Sequence, residues 1–262
     1  MRQGISVFLR VRNEEKTLNL ALTSAKNIGD QIVFVDNCST DNSYKIAERF
    51  KQKHCLENMI IKKFEYDPKL REATLSDLYN YTLNYTTGKW CVKWDGDLFS
   101  NEQDCKKIRE ALLKYYDNDS VQGLYFSNKI VYLSSMLMQK GFGAELGAFK
   151  FSPETIYVNF HKSGTLIAGE CLYKQDKLFI ANDILHDPII WHIREKSDEE
   201  LVRSTLVYLY YRENPSINFE EFVLQKKGLL TWEEMRETLI DDIIDISEKA
   251  VFDLKQVKWE ID

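Results

Sequence analysis

The chain has 262 residues, 44% hydrophobic and 29% charged, the balance of a folded globular protein rather than a disordered one. Forty-one Asp and Glu against thirty-five Lys and Arg give a net charge of -6, which argues against nucleic acid as a partner. Four prolines and eleven glycines leave no room for long low-complexity linkers.

The first 127 residues alternate short β-type runs with amphipathic helical stretches, the pattern of a mostly parallel central sheet flanked by helices. Ile5–Val11 reads as the first strand. Asn13 is placed to cap a helix from Glu14 to Asn27, with Glu14 and Glu15 at the positive end of its dipole. Gln31–Val35 is the second strand, Asp41–Lys53 the second helix and Met59–Phe64 the third strand. Ala73–Tyr85 is a helix ended by Gly88, and Trp90–Trp94 is the fourth strand. Ser100 with Gln103 forms a capping-box pattern opening a helix to Tyr116, and Val121–Ser127 is the fifth strand. From Asn128 to about Asp187 the pattern is less regular, with short aromatic runs and Gly141, Gly143 and Gly147, as expected of a substrate-specific subdomain. Ser197 with Glu200 then caps a helix to about Arg212. Thr231 with Glu234 caps a last helix to about Leu254, where Leu239, Ile243, Ile246 and Ala250 recur at helical spacing.

The longest uncharged apolar-rich stretch, Ile130–Gln139, is far below the ~20 residues that span a bilayer. Charges crowd the first fifteen residues, so no secretory leader is expected there. The five cysteines, Cys38, Cys55, Cys91, Cys105 and Cys171, show neither zinc-ligand nor redox spacing, which points to a reducing, cytoplasmic compartment.

In an open parallel sheet, ligands bind outside the carboxyl ends of the strands. Three polar clusters fall at such ends: Arg12-Asn13-Glu14-Glu15, Asp36-Asn37 and Asp95-Gly96-Asp97. Any one of them could be ordinary turn chemistry; three on one edge point to a ligand site. Two carboxylates flanking Gly96 suit Mg²⁺ or Mn²⁺, hard cations that take carboxylate, water and phosphate oxygens together. Gly96 is expected there to permit an unusual backbone conformation.

The stretches VFLRVRNEEKTL, IVFVDNCSTDNS, YNYTLNYTTGKWCVKWDGD and WHIREKSDEEL resemble the successive motifs of family 2 glycosyltransferases. The resemblance is strong over residues 5–99, patchy over 120–200 and absent in the C-terminal helices. It implies an α/β, GT-A type nucleotide-binding fold over residues 1–195, with a nucleotide-binding half (1–99) and an acceptor half (100–195), followed by a helical extension (196–262). It implies an inverting transfer of sugar from a nucleotide-sugar donor, a UDP-sugar above all, to a glycan, lipid-linked or protein acceptor, with Mn²⁺ or Mg²⁺ as cofactor. Arg12, Asn13, Glu14, Asp36 and Asn37 would line the nucleoside pocket, although Asn37 stands where many members have Asp. Asn80 matches an asparagine of the helix before the acidic motif, and Arg71 is a candidate phosphate contact. Asp95 matches a position near ribose and metal, Asp97 the metal ligand, and His192 a histidine that some members place on metal or diphosphate. The catalytic base does not transfer by motif, because His161-Lys162 stands where some members have His-Glu. Glu145 is the first candidate, with His161, Glu170 and Asp183 open.

Three other readings compete. A nucleotidyltransferase would have a glycine-rich loop where this chain has RNEE. A haloacid-type phosphatase would carry its paired aspartates after the first core strand, not the fourth. A degenerate domain used only for binding would not need both Asp95 and Asp97. The absence of a membrane-spanning run leaves room for peripheral membrane contact, and the apolar face of the last helix for a homodimer through the C-terminal helices.

Overall fold

The computed structural model describes residues 2–64, 74–132, 137–139, 143–162, 165–174, 177–178, 183–194, 217, 221–222, 225 and 243–245. In chain order these form β1 (Ile5–Val11), α1 (Leu18–Ile28), β2 (Gln31–Asp36), α2 (Ser43–Lys53), β3 (Met59–Lys63), α3 (Thr74–Leu83), β4 (Trp90–Lys93), β5 (Leu98–Phe99), α4 (Glu102–Lys114), β6 (Gly123–Tyr132), β7 (Leu137–Gln139) and β8 (Gly143–Lys150). β9 (Thr155–Lys162), β10 (Thr165–Lys174), β11 (Lys177–Leu178), β12 (Asp183–Arg194) and β13 (Ile243–Asp245) follow. Contacts divide the chain into two compact units, residues 1–128 with 143–192, and 129–142 with 193–262.

In the first unit the sheet runs β6-β8-β4-β1-β2-β3. β1 is parallel to β2 and β4, and β2 to β3. β8 enters antiparallel to both β4 and β6, so the expected fifth strand, β6, runs in the direction of β4 but is separated from it by one reversed strand. A separate antiparallel sheet β11-β10-β9 occupies the region that lacks clear periodicity. In the second unit β7 pairs with Val131 and Tyr132 at the end of β6, and with β13.

Strand alternation decides what each face receives. Ile5, Val7, Leu9 and Val11 of β1, with Ile32 and Phe34, enter a core shared with Leu18, Leu22, Ala47, Phe50, Ile108 and Leu112 of α1, α2 and α4. Phe8, Val33, Val35 and Cys91 face the opposite way, into a core with Leu78, Tyr79 and Leu83 of α3 and with Phe149 and Tyr157. Arg10 shares the parity of Phe8. The chain therefore sends a charged side chain into the α3 side of the sheet at the end of β1.

Several helix starts differ from expectation. α1 begins at Leu18, four residues after Glu14, because Asn13 adopts φ 59°, the left-handed region that Asn tolerates better than most residues. Its amide oxygen accepts from the Thr40 backbone N–H at 2.7 Å instead of capping a helix. α4 is capped by Asn101, whose side chain accepts from Asp104 N at 2.8 Å, one residue beyond the expected Ser100. Ile243–Asp245, expected inside the last helix, is a strand antiparallel to β7. Its β-branched Ile-Ile pair suits a pleated surface as well as a helix face, and pairing with β7 decides. The rest of that segment, the Ser197–Arg212 stretch and Arg71 lie outside the described residues. Among the described residues, no helix is long and apolar enough to cross a membrane.

Candidate active site

The loops after β1, β2 and β4 leave the same edge of the parallel strands, and the first two are tied together. Asn13 N donates to Ser39 Oγ at 3.0 Å, Glu14 N to Ser43 Oγ at 2.8 Å and Glu15 N to Asp41 Oδ2 at 3.0 Å. Glu15 Oε2 in turn accepts from both the backbone and side-chain nitrogens of Asn42, at 3.0 and 2.9 Å. Asn13 and Glu15 thus build the rim, while Arg12 is exposed on it. At the end of β2, Asp36 is 3% exposed. Its Oδ2 accepts from Ser39 N at 3.2 Å, whereas Oδ1, and likewise Asn37 Oδ1, is buried with no hydrogen-bond partner among the described residues. An acceptor stripped of water without a donor is costly, and such atoms call for a ligand or water.

The acidic turn is held at three points. Thr17 Oγ1 donates to the Gly96 carbonyl at 2.9 Å, Trp94 Nε1 to the Leu98 carbonyl at 3.1 Å, and Leu98 N to the Asp95 carbonyl at 3.1 Å. Gly96 is needed for space, not for a rare dihedral. Gly4 alone has positive φ among the described glycines, whereas a Cβ on Gly96 would lie 3.0 Å from Glu14 Cγ and 3.1 Å from Val11 Cγ2.

β12 pairs antiparallel with β5, with His192 opposite Leu98. That register carries His192 across 95 positions of sequence to Asp97, where Nε2 and Oδ2 are 2.8 Å apart. Asp95 has different company. Arg10 donates to its Oδ1 at 2.7 Å, and Lys93 Nζ lies 3.8 Å from its Oδ2. Burial would raise the Asp95 carboxyl, but Lys93, Arg10 and His192 outweigh it and hold the group at about 2. Asp95 therefore stays ionised.

Glu14 lies against this turn on the other side. Burial first, then the neighbouring Asp97, raise its carboxyl to about 7; a hydrogen bond with Thr17 opposes the shift, and Asp95 and Asp41 add to it. A carboxyl raised in the folded state binds more protons there than in the unfolded chain between about 4.5 and 7, so stability falls as pH rises through that window. The free protein is expected to have a lower unfolding midpoint at pH 8 than at pH 5.5, and Glu14→Gln to flatten that slope. Parallel midpoint–pH profiles for the two proteins would overturn this assignment.

The donor set can be tested against a divalent cation. Asp97 Oδ2 and His192 Nε2 supply one hard oxygen and one imidazole nitrogen side by side, in a site whose crowded acidic charge favours a cation. Among the described residues no group of three or more His, Cys, Asp or Glu forms a complete protein cage. A pair of ligands fits a cation that keeps most of its positions for water and phosphate. Asp95 fits less well than expected, because both its oxygens face cationic side chains.

Other expected site residues fall in varied places. Asn80 on α3 has both amide ends on Tyr157 of β9: Nδ2 donates to the carbonyl at 2.9 Å, and Oδ1 accepts from the backbone N–H at 2.8 Å. It ties helix to strand. Glu145 sits in β8 opposite Phe126 of β6, His161 in β9 opposite Leu166 of β10, and Glu170 in β10 opposite Asn159. Asp183 opens β12. Arg10, Lys93 and Tyr79 were not among the expected site residues. Their signal was the parity of Arg10 with Phe8, which demands a partner for a charge largely withdrawn from water.

The glycosyl transferase family 2 profile matches residues 6–178, and the chain belongs to that family. Among solved structures, the mannosyltransferase PcManGT from Pyrobaculum calidifontis, in complex with GDP-Man and Mn²⁺, aligns at 17% identity and a TM-score of 0.42, over 56% of this chain and 45% of its own. Residues 1–349 of TarS from S. aureus, in complex with UDP-GlcNAc, align at 17% identity and a TM-score of 0.46, over 85% of this chain and 69% of that one. This chain thus spans less than half the length of the mannosyltransferase it matches. No curated protein matches its sequence.

Proposed function

We propose that the protein is an inverting glycosyltransferase that moves a sugar from a nucleotide-sugar donor, a UDP-sugar in our reading, to a hydroxyl of a glycan or related acceptor. The observation that carries this reading is the Asp97–His192 pair, 2.8 Å apart, on the strand-end edge that also holds Asp36, in a chain of glycosyl transferase family 2. Asp97 and His192 would hold Mn²⁺ or Mg²⁺. When bound, such a cation neutralises charge on a diphosphate leaving group. Asp36 offers its buried acceptor to the imide N–H of a uracil ring, and the clamped loops of Asn13 and Glu15 close the pocket around the base. Asp95, fixed as an anion, accepts from hydroxyls of the donor. A carboxylate or imidazole from the chain after β6 removes the acceptor proton, with Glu145 as first candidate and His161 and Asp183 behind it. A cytoplasmic setting, reached by the reduced state expected of the cysteines, belongs to the same reading.

The test is a calorimetric and kinetic panel of nucleotides and nucleotide sugars with and without Mn²⁺. UDP is expected to bind at least ~10-fold more tightly than ADP or CDP, because a base without the imide donor leaves the buried Asp36 oxygen unpaired. Asp36→Ala is expected to erode that preference. Equal affinities for the three diphosphates would overturn the uracil assignment. Failure of every nucleotide sugar to turn over would overturn the reaction itself.

A further inference from the structure

The largely enclosed cation at the end of β1 has no part in the reaction as proposed. Arg10 has a side chain only 11% exposed and reaches Asp95, 85 positions away, at 2.7 Å. Its guanidinium carbon lies 3.3 Å above the centre of the Tyr79 ring. Tyr79 is stacked on Tyr157 at 4.2 Å, with an interplanar angle of 29°. Tyr157 in turn has its backbone N–H and carbonyl bound by the Asn80 amide. Lys93, opposite Phe8 in the β1–β4 register, adds a second cation over the same ring at 5.9 Å, and near the other carboxylate oxygen at 3.8 Å.

Each link restricts the next. The planar guanidinium can stack on an aromatic face while its edge donates to a carboxylate, a combination that lysine cannot reproduce. Tyr79 cannot tilt without disturbing Tyr157, which the Asn80 amide fixes to α3. The Asp95 carboxylate is thereby tied to the α3–β9 packing, although it sits on a turn whose side chains would otherwise sample several rotamers.

We propose that Arg10 is a positioning residue: held between the Tyr79 ring and Asp95, it locks the Asp95 carboxylate in one orientation, so that the acidic turn meets the donor already arranged. This rests on the glycosyl-transfer reading and adds to it a residue outside the acidic motif. Preorganisation of this kind lowers the cost of reaching the reactive geometry, and a small misplacement in such a site can cost a large factor in rate.

The test is a double-mutant cycle on kcat/KM for the sugar donor, with wild type, Arg10→Met, Asp95→Asn and the double variant, and unfolding midpoints taken for all four. Each single change is expected to lower kcat/KM by at least ~10-fold, and the double variant to be no worse than the weaker single, as for residues that act as a unit. Arg10→Lys is expected to recover at least ~3-fold over Arg10→Met, since it keeps a cation but not the fork. Should Arg10→Met fail to fold, the cycle is run with Arg10→Lys, whose smaller loss must likewise vanish beside Asp95→Asn. Multiplicative losses in folded variants, or wild-type kcat/KM in Arg10→Met, would overturn the role of Arg10 while leaving glycosyl transfer standing. A wild-type protein with no turnover on any nucleotide sugar would overturn the reaction, and with it the step that Arg10 is held to serve.

Discussion

Replacing Asp97 by alanine is expected to lower turnover of the sugar donor by about 10³-fold, and chelation by EDTA to do the same to the wild-type protein until Mn²⁺ or Mg²⁺ is restored. A cation acting on a leaving diphosphate contributes several kcal/mol, and each ~1.4 kcal/mol is tenfold in rate. Of the two carboxylates of the acidic turn, Asp97 is the one directed at His192, at 2.8 Å; Asp95 is turned to Arg10 and Lys93. His192→Ala is therefore expected to be more damaging to metal affinity than Asp95→Asn, which reverses the order that adjacency in sequence suggests. Titration of Mn²⁺ with UDP present measures this directly. Full turnover in EDTA, or an Asp97→Ala protein as active as wild type, would remove the metal from the proposal. The substitution should leave the fold intact, because it also relieves the repulsion that Asp97 imposes on Glu14.

A loss of at least ~10²-fold in the chemical step, with donor affinity little changed, is expected for Glu145→Gln, the signature of a lost general base. The strand order favours this position. β8 lies directly between β6 and β4, with Ala148 opposite Val92, and the chain leaves β4 into the acidic turn. Inversion by direct displacement needs the base on the face of the sugar opposite the diphosphate, and so on a segment other than the acidic turn itself. Single-turnover kinetics with a productive acceptor give the chemical step, and calorimetry gives donor affinity. A Glu145→Gln protein with near-normal chemistry would make Glu145 an ordinary strand residue and move the assignment to His161 or Asp183.

Local chemistry made some parts of this molecule readable in advance. Ile5–Val11 is a β-branched and aromatic run with little freedom to be anything else, and it is a strand at those bounds. The four elements after it, through Met59–Lys63, appear within a few residues of expectation for the same reason: their periodicity and their flanking turn residues agree. Helix starts were less readable. Capping depends on which of several neighbouring polar side chains finds a backbone N–H: Asn13 accepts from Thr40 and Thr17 donates to Gly96, both far along the chain, and Asn101 rather than Ser100 caps α4. β8 carries Gly143, Gly147 and Glu145 in a run with weak alternation, and it becomes a strand because β4 and β6 offer it edges on both sides. Gly147 belongs there because a Cβ would come 2.0 Å from the Phe126 ring, a requirement that exists only once β6 and β8 are paired.

The candidate site divides along the same line. By itself the sequence determined which residues stand at the carboxyl ends of the parallel strands, since strand periods and turn residues are local properties: Arg12 to Glu15, Asp36 with Asn37, and Asp95 with Asp97. It also determined that the chain belongs with family 2 glycosyltransferases, whose motifs are short and contiguous. Only the tertiary structure decided how those residues divide their tasks. Asp95 was given to Arg10 by the parity of β1 against β4, and Asp97 to His192, 95 positions away, by the antiparallel register of β12 on β5. Asn80 was given to Tyr157 by the packing of α3 on β9. Each is a contact between segments far apart in sequence, set by which strand lies beside which and on which face a side chain falls, and no local propensity encodes that.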